Sequence, residues 1–139
     1  MSLDSFVERI SPWLYTSIHM ELTDTDQMAI RSVIGKQLQA FQNDDADTAF
    51  SCASPAIQTQ FGTAEQFLEM AASAYRPVYR PRSVMFESVV RIDGKVAQQV
   101  LVMGPDGGVF MALYVMQLQL DSSWRINGCF LNPIQEQSV

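Results

Sequence analysis

The sequence predicts an α+β domain, with amino-terminal helices packed on an antiparallel sheet. Apolar residues recur at helical spacing through the first half of the 139-residue chain. Residues 83–131 instead break into four strand-like runs rich in β-branched and aromatic side chains. Three turn signals divide those runs: Asp93-Gly94, Pro105-Asp106-Gly107-Gly108 and Asp121-Ser122-Ser123.

Taken in order, residues 1–22 read as a helical appendage. Phe6, Ile10, Trp13, Leu14 and Ile18 follow helical spacing, Pro12 interrupts them, and the resulting short pieces have no core of their own. Their apolar stripe suits a lid or a dimer strap. The single His19 within it has no cysteine or second histidine nearby in sequence and reads as a surface or interface residue. Residues 23–139 form one domain.

That domain opens with a helix from about Asp26 to Gln42, capped by Thr23, Asp24 or Thr25, with Ile30, Val33, Ile34, Leu38 and Phe41 on one stripe. Asn43-Asp44-Asp45 breaks it, and a short helix follows with Ala46, Ala49, Phe50 and Ala53 turned inward. Ser54-Pro55 restarts a helix that Gly62 ends. Thr63 to Gln66 fits a capping box for a fourth helix, carrying Phe67, Met70, Ala71 and Ala74 and stopped by Pro77. Tyr75-Arg76-Pro77 and Tyr79-Arg80-Pro81 predict an extended arm into the first strand, because each proline restricts the residue before it.

The turns set a register. Asp93-Gly94 pairs Val90 with Ala97 and Glu87 with Val100; Pro105-Asp106-Gly107 pairs Val102 with Phe110 and Gln98 with Tyr114. The third turn pairs Leu118 with Trp124 and Met116 with Ile126. Alternation then places Met85, Glu87, Gln98, Val100, Val102, Phe110, Tyr114, Met116, Trp124, Ile126 and Phe130 on one face. Phe86, Leu101, Met111, Leu113, Val115, Cys129 and Leu131 fall on the other. The large rings mark the first face as the helix side. The second face is also apolar, although antiparallel sheets commonly leave one face wet. A second copy of the chain is the expected cover, with Met111, Leu113, Val115 and Leu131 as interface candidates.

Composition excludes several classes. The formal net charge of −6 repels nucleic acid and anionic membranes. No apolar run approaches the ~20 residues that span a bilayer, and the acidic start is unlike a signal peptide. Cys52 and Cys129 form no metal-ligand spacing and read as buried thiols of a reducing compartment, so a cytoplasmic protein without metal or cofactor is expected. Residues 76–95 nevertheless hold five of the nine basic side chains, Arg76, Arg80, Arg82, Arg91 and Lys95. Tyr79, Arg80 and Arg82 could seat an anionic ligand through guanidinium forks, or could instead tie the arm to acids such as Asp44, Asp45 or Asp47.

Four segments carry a family resemblance: Ala53 to Ile57, Tyr79 to Val84, Gly104 to Gly107 and Trp124 to Cys129. They resemble the bacterial family called domain of unknown function 4864, over about Ala29 to Leu131. The layout is similar to the nuclear transport factor 2-like superfamily, which implies a strongly curved sheet closing into a cone-shaped pocket and frequent dimerisation through the sheet. On that reading Glu87, Gln98 and Tyr114 share the pocket wall, Gln98 and Tyr114 forming a satisfied polar pair. The function expected is a non-catalytic domain binding a small apolar or anionic molecule. Two alternatives stand beside it: a lyase or isomerase using Glu87 as general base, and an adaptor acting through its sheet face.

Overall fold

The computed structural model describes residues 22–134, and the appendage reading for residues 1–21, His19 included, lies outside them. Among the described residues, five helices precede four strands. Helix α1 spans Asp24–Gln42, α2 Ala46–Ser51, α3 Pro55–Phe61, α4 Ala64–Ala74 and α5 Arg76–Tyr79. The strands are β1 Ser83–Ile92, β2 Lys95–Met103, β3 Val109–Leu118 and β4 Trp124–Pro133, hydrogen-bonded in the order β1-β2-β3-β4.

The helix starts follow from their caps. Thr23 and Asp26 close a reciprocal capping box on α1, and the Asp45, Ser54 and Thr63 side chains accept from Thr48, Ile57 and Gln66 at the starts of α2, α3 and α4. The Tyr-Arg-Pro arm departs from expectation. Arg76–Tyr79 is a helical turn, with Pro77 near its start, where the missing N–H needs no partner.

The hairpin turns hold the expected register at Val90–Ala97, Val102–Phe110, Gln98–Tyr114, Leu118–Trp124 and Met116–Ile126. At the first, Asp93 and Gly94 both have positive φ, 51° and 76°, as a primed hairpin turn requires. Two bulges then move side chains between faces. In β1, Phe86 pairs with Val100 and Val89 with Gln98, so Glu87 and Ser88 together oppose Gln99. The expected Glu87–Val100 pairing is therefore corrected. Phe86 joins the helix-side core, whereas Met85 is exposed. In β4, Met116 pairs with Ile126 but Val115 with Gly128, leaving Asn127 as the extra residue. Beyond it Cys129 and Leu131 turn to the helix side, opposite Tyr114 and Ala112, and Phe130 turns outward opposite Leu113. Leu131 thereby leaves the outer surface assigned to it.

The core forms in two clusters. Ile30, Ile34 and Leu38 of α1 pack on Val100, Val102, Ala112, Tyr114, Met116, Trp124 and Ile126 of the sheet. The second cluster is aromatic, with the Phe67 ring 5.9, 5.6 and 5.5 Å from those of Phe41, Phe50 and Phe61.

The helical layer is stitched to β4 by polar contacts. Ser54 donates its backbone N–H to the Ile126 carbonyl at 2.8 Å, and Ile126 donates to Cys52 at 2.8 Å, a parallel bridge on the free edge of β4. The buried Ser54 hydroxyl caps α3 and donates to Asn127 Oδ1 at 2.6 Å, gripping the bulge itself. Arg125 adds a bond from Nη1 to the Ser51 carbonyl at 2.7 Å. Ser54→Ala removes both the cap and the Asn127 contact, and is expected to cost about 2 kcal/mol in urea unfolding. A loss below about 0.5 kcal/mol, typical of inconsequential surface changes, would contradict that role.

Candidate functional site

The helices and β4 leave a cavity of about 280 Å³ between them. Phe41 of α1, Ile57 and Phe61 of α3, and Phe67, Met70 and Ala71 of α4 form its apolar walls, with Tyr75 and Val78 at one end. Tyr114 of β3 and residues 126–130 of β4 close the sheet side. Among the described residues, the lining includes no charged side chain. Of its polar side chains, Gln37 donates from Nε2 to the Ala49 carbonyl at 3.1 Å and Asn127 Oδ1 accepts from Ser54, and Gln60 and Tyr75 also line it.

Tyr114 is the most deeply buried polar residue of the described lining. It is 1% exposed, and its hydroxyl has no hydrogen-bond partner among the described residues. Burial pushes its pKa well above the usual phenol range, and the neighbouring Cys129 adds to the shift without offering a well-formed hydrogen bond. Cys129 keeps part of its surface open, yet loss of solvent around its sulfur pushes the thiol up to about 12. Both groups are therefore neutral near pH 7. They stand in a wall that also carries the neutral polar side chains of Gln37, Gln60, Tyr75 and Asn127.

The residues proposed from sequence divide. Tyr114 lines the cavity, and Gln98, its cross-strand partner, is fully buried beside it but outside the lining. They do not satisfy one another: Gln98 Nε2 donates to the Glu87 and Gln99 carbonyls at 3.0 and 2.9 Å, leaving Oε1 unpaired. Glu87 lies in the β1 bulge with its side chain exposed, outside the cavity lining. Its carbonyl, rather than its carboxylate, is what the core uses.

Tyr79 and Arg80 form a clasp on the end of α1. The Tyr79 hydroxyl donates to Asp44 Oδ1, Arg80 Nη2 meets the same oxygen at 3.0 Å, and Arg80 Nη1 donates to the Phe41 carbonyl. The guanidinium also lies over the Tyr79 ring, 4.1 Å from its centroid. The Tyr79 bond, followed by Arg80, holds the Asp44 carboxyl below its ordinary range. That contribution is complete above the ordinary aspartate pKa and is lost as pH falls through the lowered value. Arg82 donates its backbone N–H to Met103 at 2.8 Å. Met111, Leu113 and Val115 lie on the outer face, each half-buried and none in either core cluster.

Sequence reasoning missed the α3 and α4 contribution to the cavity and the inward turn of Cys129. The available signal was Asn127-Gly128 inside a strand, a pair that marks a bulge. A second hollow, between Arg76-Pro77 and the β2–β3 turn, is bordered by Arg76, Pro77, Pro105, Asp106 and Phe110. Among the described residues, no cluster of His, Cys, Asp and Glu could hold a metal ion, and no helix is long and apolar enough to cross a membrane.

Fold and site together define an α+β domain whose helices and edge strand border an open cavity, uncharged among the described residues. The chain belongs to the family described as Domain of unknown function (DUF4864), whose model matches residues 23–139. No curated protein and no solved structure matches the chain significantly.

The raised thiol pKa has a kinetic consequence. At pH 8 the thiolate fraction of Cys129 is on the order of a thousandfold below that of an ordinary cysteine. Iodoacetamide should therefore label Cys129 in the native protein at least a hundredfold more slowly than in urea, followed by mass spectrometry. Labelling within tenfold of the unfolded rate would show that the thiol is neither shielded nor held protonated.

Proposed function

We propose that this domain is a non-catalytic small-molecule-binding module of nuclear transport factor 2-like type. Its ligand is a small apolar molecule held between α3, α4 and β4. The observation that carries the reading is the cavity wall: apolar rings and aliphatic groups, a few neutral polar atoms and, among the described residues, no charged side chain. Proton-transfer chemistry needs a base poised near neutrality. Neither Tyr114 nor Cys129 is one, since burial raises both. The arginine arm is a poorer seat for an anion, because Arg80 is already held by Asp44 and the Phe41 carbonyl. The two unpaired cysteines, Cys52 and Cys129, suit a reducing cytoplasm.

The neutral dye Nile red tests the binding reading. It should bind the wild-type protein saturably with a blue-shifted emission, and Ile57→Trp, which fills the α3 wall, should weaken that binding at least tenfold. Equal binding to both proteins would remove the cavity as the site.

A homodimer is the second part of the proposal, supported by the uncovered outer face. Met85 and Phe130 are each 59% exposed there, beside Leu101, Met111, Leu113 and Val115. Contiguous apolar surface of this kind marks an interaction site. A second copy is the favoured occupant, because the face lies wholly within the family match and residues 1–22 lie outside it. Sedimentation velocity should give a dimer for the wild-type chain and a monomer for Leu113→Lys. A wild-type monomer at tens of micromolar would rule the homodimer out.

A further inference from the structure

We infer that residues 1–21 dock on their own domain, in a groove between α1 and β1 on the helix side of the sheet. This surface is separate from both the cavity and the outer face.

The groove follows from where α1 sits. Among the described residues, α1 packs toward β4 rather than β1, so the helix side of β1 is only partly covered. Val84, Phe86, Val89 and Arg91 point to that side, since they pair with Val102, Val100, Gln98 and Val96. Val84 is 37% exposed, and Phe86 and Val89 are half-buried at the margin of the first core cluster. Opposite them runs one flank of α1. Arg31 lies on it, its guanidinium over the Phe86 ring and 5.8 Å from the centroid. Met28 and Gly35, about one turn to either side of Arg31, continue that flank. Met28 is 71% exposed, and a side chain at Gly35 would meet nothing within 4 Å. Two largely apolar walls, each carrying an arginine, thus border the groove, with the Arg31–Phe86 contact joining them.

Three arguments name the occupant. The first is where the chain goes. Leu22 packs against the first core cluster just before the Thr23 cap, so residues 1–21 leave α1 on the helix side of the sheet. Asp26, in the first turn of α1, neighbours Trp124 at the start of β4. The pairs Met116–Ile126, Val96–Met116 and Arg91–Val96 carry that end of the sheet across to β1. The second is reach. Those residues, wound as helix, would span about 30 Å, close to the length of the ten-residue β1. The third is chemistry. Phe6, Ile10, Trp13, Leu14 and Ile18 supply an apolar stripe, and three acids, Asp4, Glu8 and Glu21, outnumber Arg9. Apolar walls flanked by Arg31 and Arg91 are the complement of such an acidic amphipathic segment.

Trp13 reports the docking in the full chain, because the protein has two tryptophans and Trp124 is buried in the core. With fluorotryptophan incorporated, the fluorine resonance of Trp13 is assigned by Trp13→Phe, and its shift between light and heavy water measures solvent access. In the wild type that shift should be less than half the value of free fluorotryptophan. It should stay so when the protein is diluted until sedimentation velocity shows a monomer. Gly35→Phe, which fills the groove, and Arg31→Glu, which reverses its charge, should each restore most of the shift. An unmoved Trp124 resonance reports that the variants are folded. If neither folds, Overhauser contacts from the Trp13 fluorine to protons of Met28, Phe86 or Val89 in the wild type give the answer, and their absence overturns the inference.

A fully exposed Trp13 in the wild type overturns it. Burial that survives both folded variants puts the segment on the cavity or the outer face and overturns it too. Burial lost on dilution means that a second copy's segment fills the groove, which contradicts docking within one chain.

Discussion

The contact between the α2–α3 junction and the β4 bulge is the constraint on which the rest of the site depends. An extra residue in a strand reverses the facing of every side chain beyond it. Here the extra residue is Asn127, and it is held from two sides. Ser54 grips its side-chain oxygen, and the Cys52–Ser54 backbone pairs with Ile126 just before it. With the bulge in place, Cys129 faces Tyr114 and Phe130 faces outward. Without it those two would exchange places, a phenyl ring would point toward Tyr114, and the outer face would gain a thiol. The same contact therefore shapes the cavity wall and the external surface at once.

Ser54 also links local and long-range structure. As the N-cap of α3 it starts the helix that carries Ile57 and Phe61, two walls of the cavity. Its backbone N–H closes the edge of β4 that would otherwise be open to pairing at that point. The Tyr79–Asp44–Arg80 clasp plays a comparable part at the other end. It fastens the short α5 turn to the end of α1 and keeps Tyr75 and Val78 against the cavity. Residues that look like ligand-binding side chains in a linear sequence act here as fasteners.

Much of the fold could be read from the chain because it is determined locally. Caps at Thr23, Ser54 and Thr63, breaks at Asn43 and Gly62, and three hairpin turns each act over a few residues, and each lies where its chemistry predicts. Register near a turn follows from the turn, which is why Val90–Ala97 and Leu118–Trp124 hold. Six residues further along β1 from its hairpin, the Glu87–Ser88 bulge breaks the count, and Glu87 moves from the expected pocket wall to solvent. The β4 bulge has the same effect on Cys129, Phe130 and Leu131. Bulges are set by contacts such as Ser54 with Asn127, 73 positions apart, which no periodicity encodes. Of the proposed pocket residues Tyr114 alone lines the cavity; its pairing with Gln98 follows the turn, whereas its β4 partner, Cys129, lies past the bulge.

The facing of β4 beyond Asn127 is the central claim, and nuclear Overhauser contacts read it directly. In isotope-labelled protein the Tyr114 ring should show cross-strand contacts to the Cys129 β protons, while the Phe130 ring contacts Leu113 and Gly128. Strong contacts between the Tyr114 and Phe130 rings, with Cys129 close to Leu113, would mean that β4 runs without its bulge and that the cavity wall is built from other residues.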